Sequence, residues 1–568
     1  MDGLSFLVLS LFIKLAAASV TCNNTFDSIS ATTWVNGVNP GWNLGNTLDA
    51  TPTEGSWNNP PVDFSTFDDI KNSGFKGVRL PVTWADHFIT GSPSWTINQT
   101  WLQRVSDVVD AVIERDLYVL VNVHHDATMW ADVTAAGANY SAIEEQFYRL
   151  WYQVGETLGC KSSLLAFETI NEPPASTNAQ YAEINKLQGL FIQALADSGG
   201  FNSKRVVTLI GPSENADLTD QFLTIPPNIT NPYAIQYHYY SPYDFIFGAW
   251  GKTIWGSDSD KQSLDSDLSI VRGNFTDVPV VIGEWSASST FTETAARWKY
   301  FDFFIRTAAK YTTATILWDN GEDQLDRAAH KWRDPTVIDI LMSAFAGVNN
   351  TLADSTEDAN APTQETSAYI FHKAGTNVTD VTLPYIFNGN TLKSISSPSG
   401  PLGEGTDYSV DGANITYHAS FLSKYLSPSA ASGLLVNLTL DFSQGAPLNA
   451  AVVQYDAPTL GSSSAAASSV NTGSDLTIPI TWKGLEDVAA VKAETINGTY
   501  LVDTFTQYDG PLQQGRTTYS SQYNWDGSAV TITAATIQDV VTAGQTTVFT
   551  FEFYPRVPGN AVNYTLTV

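Results

Sequence analysis

The chain has 568 residues, with 58 acidic against 28 basic side chains and a formal net charge of −30. So long a chain exceeds a single hydrophobic core, and so acidic a surface repels phosphate backbones, which excludes nucleic acid as a partner. Only 15% of the residues are charged while 12% are aromatic, with 16 tryptophans, a balance that offers flat stacking faces to uncharged ligands, neutral polymers first.

The chain opens on an apolar run from Leu4 to Leu15, broken by Ser5, Ser10 and Lys14 and followed by Ala16, Ala17 and Ala18. This pattern predicts a signal peptide over 1–18. About a dozen apolar residues cannot span a bilayer core, which needs roughly 20, and no later segment is long and apolar enough. A secreted, extracellular protein with no membrane partner is expected. Sequons at Asn23, Asn98, Asn139, Asn228, Asn274, Asn349, Asn377, Asn414, Asn437, Asn497 and Asn563 agree with that route. In an oxidising compartment Cys22 and Cys160 could form one disulfide or remain two thiols.

From Val38 to Gly321, eight short apolar runs have strand character: Gly41 to Gly45, Gly77 to Pro81, Tyr118 to His124, Leu164 to Asn171, Arg205 to Ile210, Ala234 to Tyr239, Pro279 to Glu284 and Thr315 to Trp318. Near-continuous stretches such as Tyr118-Val-Leu-Val-Asn-Val suit parallel strands buried on both faces. Between them apolar residues recur at three and four, as in Trp101, Leu102, Val105, Val108, Val109, Val112 and Ile113, or Trp298, Phe301, Phe304 and Ile305. Strand and helix alternating eight times predict a (β/α)8 barrel over 25–348. A doubly wound open sheet would need a Gly-rich phosphate turn after the first strand, and none is found.

Residues 349–366, rich in Asn, Thr, Asp, Ala and Pro, read as a linker. Short alternating segments such as Val381-Thr-Leu, Asn414-Ile-Thr-Tyr and Leu434 to Leu440 then predict a β-sandwich over 367–460. A Ser/Ala run at Ser462 to Ser469 reads as a second linker. A further β-rich unit occupies 474–568. The expected fold class is therefore a barrel followed by two β-sandwich domains.

In such a barrel the active site forms at the C-terminal ends of the strands. Those ends carry Asn46, Arg79, His124, His125, Asn171, Glu172, His238, Tyr240, Glu284, Trp318 and Asp319. Two carboxyls projecting from different strands can divide acid and base work if their surroundings separate their pKa values. Glycoside hydrolysis is the chemistry that most needs such a pair, here Glu172 and Glu284. His124-His125-Asp126 could instead read as a metal cluster, but adjacent side chains at a strand end point to opposite sides and no third ligand set is evident. No metal or other cofactor is expected. No G-x-S-x-G elbow lies at a strand end, so acyl hydrolysis is unsupported.

The segments Gly41-Trp-Asn-Leu-Gly-Asn-Thr-Leu-Asp49, Gly77-Val-Arg-Leu-Pro-Val-Thr-Trp84, Asn122-Val-His-His-Asp126, Thr169-Ile-Asn-Glu-Pro173, Tyr237-His-Tyr-Tyr240, Ile282-Gly-Glu-Trp285 and Ile316-Leu-Trp-Asp-Asn-Gly321 resemble glycoside hydrolase family 5, of the cellulase and xyloglucanase type. The resemblance covers about the first 350 residues. It implies retaining double displacement with Glu172 as acid/base and Glu284 as nucleophile, their carboxyls about 5 to 5.5 Å apart. Arg79 and Tyr240 would donate hydrogen bonds to Glu284 and lower its pKa. Asn171 would hold the sugar 2-hydroxyl, His238 would neighbour Glu172, His124 would contact the sugar, and Trp318 would lie as an apolar plane beneath it.

The expected activity is that of a monomeric endo-β-1,4-glucanase acting on cellulose-type or mixed-linkage glucan. Alternatives are a xyloglucan-specific enzyme, a mannanase or a non-catalytic glycan-binding protein. Trp57, Trp130, Trp250 and Trp255 are candidate subsite platforms along an open cleft. Residues 367–460, with Pro401-Leu-Gly-Glu-Gly-Thr-Asp-Tyr408, resemble the immunoglobulin-like module found beside cellulases. The last unit, with Trp482-Lys-Gly and Tyr523-Asn-Trp-Asp526, resembles a carbohydrate-binding module that can help complete the cleft, Trp482 as a core residue and Trp525 as the sugar contact.

Overall fold

A computed structural model describes residues 19–227 and 229–568; the expected signal peptide at 1–18 and the sequon residue Asn228 lie outside the described residues. Among the described residues no helix is long and apolar enough to cross a membrane.

Eight parallel strands close into a barrel in chain order: β1 (Gly41–Asn43), β2 (Gly77–Leu80), β3 (Tyr118–Val121), β4 (Leu165–Glu168), β5 (Val207–Ile210), β6 (Tyr233–His238), β7 (Val280–Trp285) and β8 (Thr313–Leu317). All eight fall on the apolar runs read from the sequence. Long helices between them, including Gln99–Ile113, Tyr140–Leu158, Asn178–Ser198 and Thr294–Lys310, turn their apolar residues inward against the strands. The N-terminal end of the barrel is plugged by the helix Ala31–Val38, whose Trp34, Val35 and Val38 pack on Leu120, Ala166, Val206, Ala234, Val281, Ala314 and Ile316. Alanines on three strands leave the room that the indole fills.

The ladder stops well short of the apolar runs at β3 and β4. β3 ends at Val121 rather than His124, and β4 at Glu168 rather than Asn171. The chain continues there through irregular bonds: Val82 N–H donates to Asn122 Oδ1, His124 N–H to the Val82 carbonyl, and Asn171 N–H to the Val123 carbonyl. Backbone that would extend the sheet is thus diverted into the loops that carry the site.

Cys22 and Cys160 are joined in a disulfide that closes a separation of 138 residues. It ties the N-terminal segment to the end of the helix Tyr140–Leu158, and closing so long a loop restricts the unfolded chain.

Two β-sandwiches follow. The first pairs a sheet of Leu352–Ala353, Val381–Ile386, Asn414–Tyr417 and Tyr408–Asp411 with one of Tyr369–Lys373, Leu448–Tyr455, Gly433–Phe442, Leu392–Ser397 and Gly400–Pro401. The second packs two four-stranded sheets and carries the helix Ala534–Ala543. Both stretches read as linkers contain strand. Leu352–Ala353 pairs with Tyr385 and Ile386, and buried Asn350 donates to Asp302 and to the Ile340 carbonyl while accepting from Ala446 N–H. Ser464–Ala466, in the second stretch, is a strand paired with Thr565, Leu566 and Thr567. Short polar side chains that look like solvated spacer in sequence here satisfy backbone groups across the module boundary. One apolar core runs unbroken from the barrel into the first sandwich, and the second sandwich has its own, centred on Val530, Ile532, Phe549 and Phe551.

Candidate active site

The C-terminal rim of the barrel opens on a cavity of about 660 Å³ lined, among others, by His124, Asn171, Glu172, Tyr240, Glu284 and Trp318. Arg79 and His238 lie beneath it, both buried. β2 delivers Arg79, the turn after β4 delivers Asn171 and Glu172, β6 ends on His238, and β7 holds Glu284 beside a register shift that follows Ile282.

Arg79 organises the floor. Its Nε and Nη2 donate to Glu168 at 2.6 and 2.7 Å, Nη1 to Glu284 at 2.5 Å and to Asn43 at 2.9 Å, and Nη2 also to Asn171 at 2.7 Å. Those bonds use every N–H a guanidinium has, so the group is fixed in orientation. Glu284 receives the Arg79 bond on Oε1 and the Tyr240 hydroxyl on Oε2 at 3.0 Å. Asn171 Oδ1 is taken by Arg79, so the amide Nδ2 is the end it presents to the cavity.

His238 sits among carboxyls. Its Nδ1 is 2.7 Å from Glu172 Oε1 and 3.6 Å from Glu284 Oε2, and its Nε2 is 3.2 Å from Glu214 Oε2. Burial works against a charged imidazole, but Glu214, Glu284 and Glu172 outweigh it and raise the His238 pKa. Burial likewise opposes ionisation of Glu172, yet the His238 hydrogen bond and charge hold that carboxyl below its usual range. Glu284 departs from expectation: burial pushes its pKa up, and the charges of His238 and Arg79 and the Arg79 bond only partly offset that. The sequence reading counted the donors and omitted the desolvation of a carboxyl that is 5% exposed.

Trp318 and His124 lie parallel, 7° apart in plane with ring centres at 6.0 Å. Trp318 closes so tightly on the first strand's loop that a Cβ at Gly45 would come within 2.7 Å of its ring, which requires glycine there. His124, buried beside His125, has its pKa pushed well down by desolvation. One oxygen or nitrogen from each of Asp49, His124 and His125 approaches the others closely enough to suggest a metal triad. The donor set does not fit one: Asn122 Oδ1 accepts from Val82 N–H, so Nδ2 donates to Glu168 and to His124 Nδ1. His124 Nε2 then carries the ring hydrogen and cannot ligate.

The model of the family described as cellulase (glycosyl hydrolase family 5) matches residues 42–324, and carbohydrate binding domain X2 matches residues 364–452. Endoglucanase A of Clostridium longisporum is 31% identical over 371 residues, 60% of this chain and 70% of that protein. The chain belongs to glycosyl hydrolase family 5. Endoglucanase B of Paenibacillus lautus is 27% identical to this family 5 enzyme over 486 residues, 82% and 81% of the two chains. A crystal structure of a tri-modular family 5 (subfamily 4) endo-β-1,4-glucanase from Bacillus licheniformis, complexed with cellotetraose, superposes with a TM-score of 0.84. It is 33% identical, and the match covers 95% of this chain and 99% of that one.

The carbohydrate-binding match falls on the first sandwich of the family 5 enzyme, the unit whose motifs resemble an immunoglobulin-like spacer. The second sandwich abuts the active-site cleft. Thr518, Tyr519, Ser520 and Ser521 line the same cavity as Glu172 and Glu284, and Tyr519 meets Phe291 at 5.2 Å. Trp525 packs behind Tyr519, 4.6 Å away, and faces a separate cavity at the junction of the three units. Of these two aromatics it is Tyr519, not Trp525, that lines the cleft. Trp482 is half-buried, edge-on to Phe553.

Of the four loop tryptophans, Trp57 is 39% exposed beside His125, Trp130 is half-buried with its Nε1–H on Asp126, and Trp250 lies in the seam against Phe505. Trp255 is no platform. It is fully buried against Tyr300 and Phe303 as a core aromatic, because the chain between the β6 loop and the next helix folds over the barrel rather than along the cleft.

Sequence reasoning passed over Glu168, Asn122, Asn43 and Glu214. Glu168 had a signal, since it interrupts the apolar run Leu165-Ala-Phe with a charge where a strand is buried on both faces. Glu214 had a weaker one, a carboxyl just past the Gly211-Pro212 turn that ends β5, the one strand whose end supplied no candidate.

Proposed function

We propose that this enzyme is a secreted, retaining endo-1,4-β-glucanase in which Glu172 protonates the leaving oxygen and Glu284 forms the glycosyl-enzyme bond. One observation carries the reading: a carboxyl oxygen of Glu172 and one of Glu284 lie within 4.8 Å of each other. That approach is nearer to the spacing of about 5 to 5.5 Å usual for direct attack at the anomeric carbon than to the about 6.5 to 9.5 Å that the water of an inverting enzyme needs. Both Glu284 oxygens accept hydrogen bonds that favour the anion. The Glu172–His238 pair holds between its two atoms the proton that the departing sugar must take.

The names of the relatives support a β-1,4-glucan as substrate, and a cleft lined by Tyr243 and Phe247, with Trp57 exposed beside its His125, supports attack within a chain. The apolar leader sequence, the disulfide and the sequons support secretion. The test is reducing-sugar release with product sizing on carboxymethylcellulose, mixed-linkage glucan, xyloglucan and mannan. Mixed oligosaccharides from the first two substrates are the expected result, and cleavage of mannan alone would refute the assignment.

Tyr519 supplies an aromatic face to the cavity from the second sandwich. Tyr519→Ala should raise KM for polymeric glucan about 3- to 10-fold, the scale of one aromatic contact, and leave hydrolysis of an aryl cellobioside unchanged. Equal effects on both would show that Tyr519 only supports the cleft wall.

A further inference from the structure

We propose that Glu214 is a positioning residue of the reaction: its carboxylate fixes the backbone of Glu172 and holds the proton on the Glu172–His238 pair. The proposal rests on the assignment of Glu172 as acid/base.

Glu214 is fully buried, in the loop after β5. Its Oε2 accepts the Glu172 backbone N–H at 2.9 Å and its Oε1 accepts from Gln236 Nε2 at 3.0 Å, while His238 Nε2 stands 3.2 Å from Oε2. Two donors thus bond the two oxygens, and the imidazole stands beside one of them. Only an acceptor at both positions matches them, and an amide would turn its own N–H groups on one of the donors.

The loops are locked to each other at a cost in backbone freedom. Glu172 (φ 42°), Ser213 (φ 53°) and Glu214 (φ 45°) all adopt left-handed conformations without being glycine, and Ser213 N–H closes the contact by donating to the Pro173 carbonyl. Such clustered strain persists where surrounding bonds over-determine it. Glu214 supplies one of those bonds, directly to the residue whose carboxyl must reach the leaving oxygen.

The electrostatic consequence follows from what faces the cluster. Arg79 from β2, Glu168 and Glu172 from β4 and its loop and His238 from β6 face Glu214, with Tyr240, Asp217 and Asp267 lining the same outer hollow, while His124 from the β3 loop and Glu284 from β7 face His238 on its other side. Burial pushes the pKa of the Glu214 carboxyl up to about 8, against the lowering pull of the His238 charge, so anion and imidazolium each favour the other. When Glu172 and His238 together lose one proton to the leaving oxygen, Glu214 is the buried negative charge against which that proton departs. Its presence therefore keeps the pair protonated to higher pH, by the sign of a negative charge on a nearby proton.

The experiment is the pH dependence of kcat/KM, which reports the free enzyme, on a cello-oligosaccharide and on an aryl cellobioside with a good leaving group. It uses the full-length enzyme, Glu214→Gln, Glu214→Asp and Glu172→Ala. Glu214→Gln should move the basic limb down by about 1 to 3 pH units on the oligosaccharide, with kcat/KM on the aryl substrate kept within several-fold. Glu214→Asp, which keeps the charge, should leave the limb within about half a unit of wild type while lowering kcat. An unmoved limb in Glu214→Gln, or a limb that falls equally in both variants, overturns the proposal. Should Glu172→Ala lose the two substrates equally, the acid assignment itself fails, a result distinct from either.

Discussion

Glu284→Ala is expected to stop turnover, lowering kcat/KM by roughly 10⁴- to 10⁶-fold, the scale of losing a nucleophile that acts as part of a unit. The fold should survive. Arg79 keeps both bonds to Glu168 and those to Asn43 and Asn171 when Glu284 is truncated, so no buried cation is stranded. The carboxyl that is removed is one that burial already disfavours as an anion. Reducing-sugar release beside a melting curve checks both halves. Activity within tenfold of wild type on any accepted glucan would take Glu284 out of the chemistry.

Glu172→Ala should separate substrates by their leaving groups. A sugar alkoxide leaves only with a proton, and general acid catalysis contributes about 10²- to 10⁴-fold, so polysaccharide hydrolysis should fall by that much. An activated aryl glycoside needs no such proton to form the intermediate. Its first turnover should stay fast and its second should stall, because the water that frees the enzyme is no longer deprotonated by Glu172. The expected record is a burst equal to the enzyme concentration followed by a slow steady state. Equal losses on both substrates, with no burst, would argue that Glu172 acts in binding alone. The partial opening of Glu172, whose side chain is 42% exposed against 7% for Glu284, fits a group that must meet both a departing sugar and an arriving water.

The barrel is legible in the sequence because its strands are buried on both faces. Leu120 points into the bottom plug while Val119 and Val121 pack outward, and such a run has no polar phase to confuse the period. The rim is legible for the same reason inverted: a charge or amide directly after an apolar run has nowhere to go but the mouth of the barrel. Glu172, Glu284 and His238 were found that way. Glu214 was not, since a Gly-Pro turn separates it from its strand and its partners come from β4 and β6, far away in sequence. The same limit explains Trp255, whose burial depends on Tyr300 and Phe303 in a later helix. It explains Trp525 and Tyr519 too, six residues apart on opposite sides of one turn. Composition does not reveal the order within 349–366, where Asn350 is a buried cross-link with partners at 302, 340 and 446.

Family boundaries and cooperative units need not coincide, and here they part company. The cellulase match ends at 324 and the X2 match begins at 364, yet one apolar core extends from Trp42 through Leu352 to Val452. Water cannot be admitted to one side of that core without reaching the other, so the barrel and first sandwich unfold as one body. The second sandwich, with a core of its own, can melt separately. A calorimeter would count two transitions in a protein whose sequence is assembled from three parts.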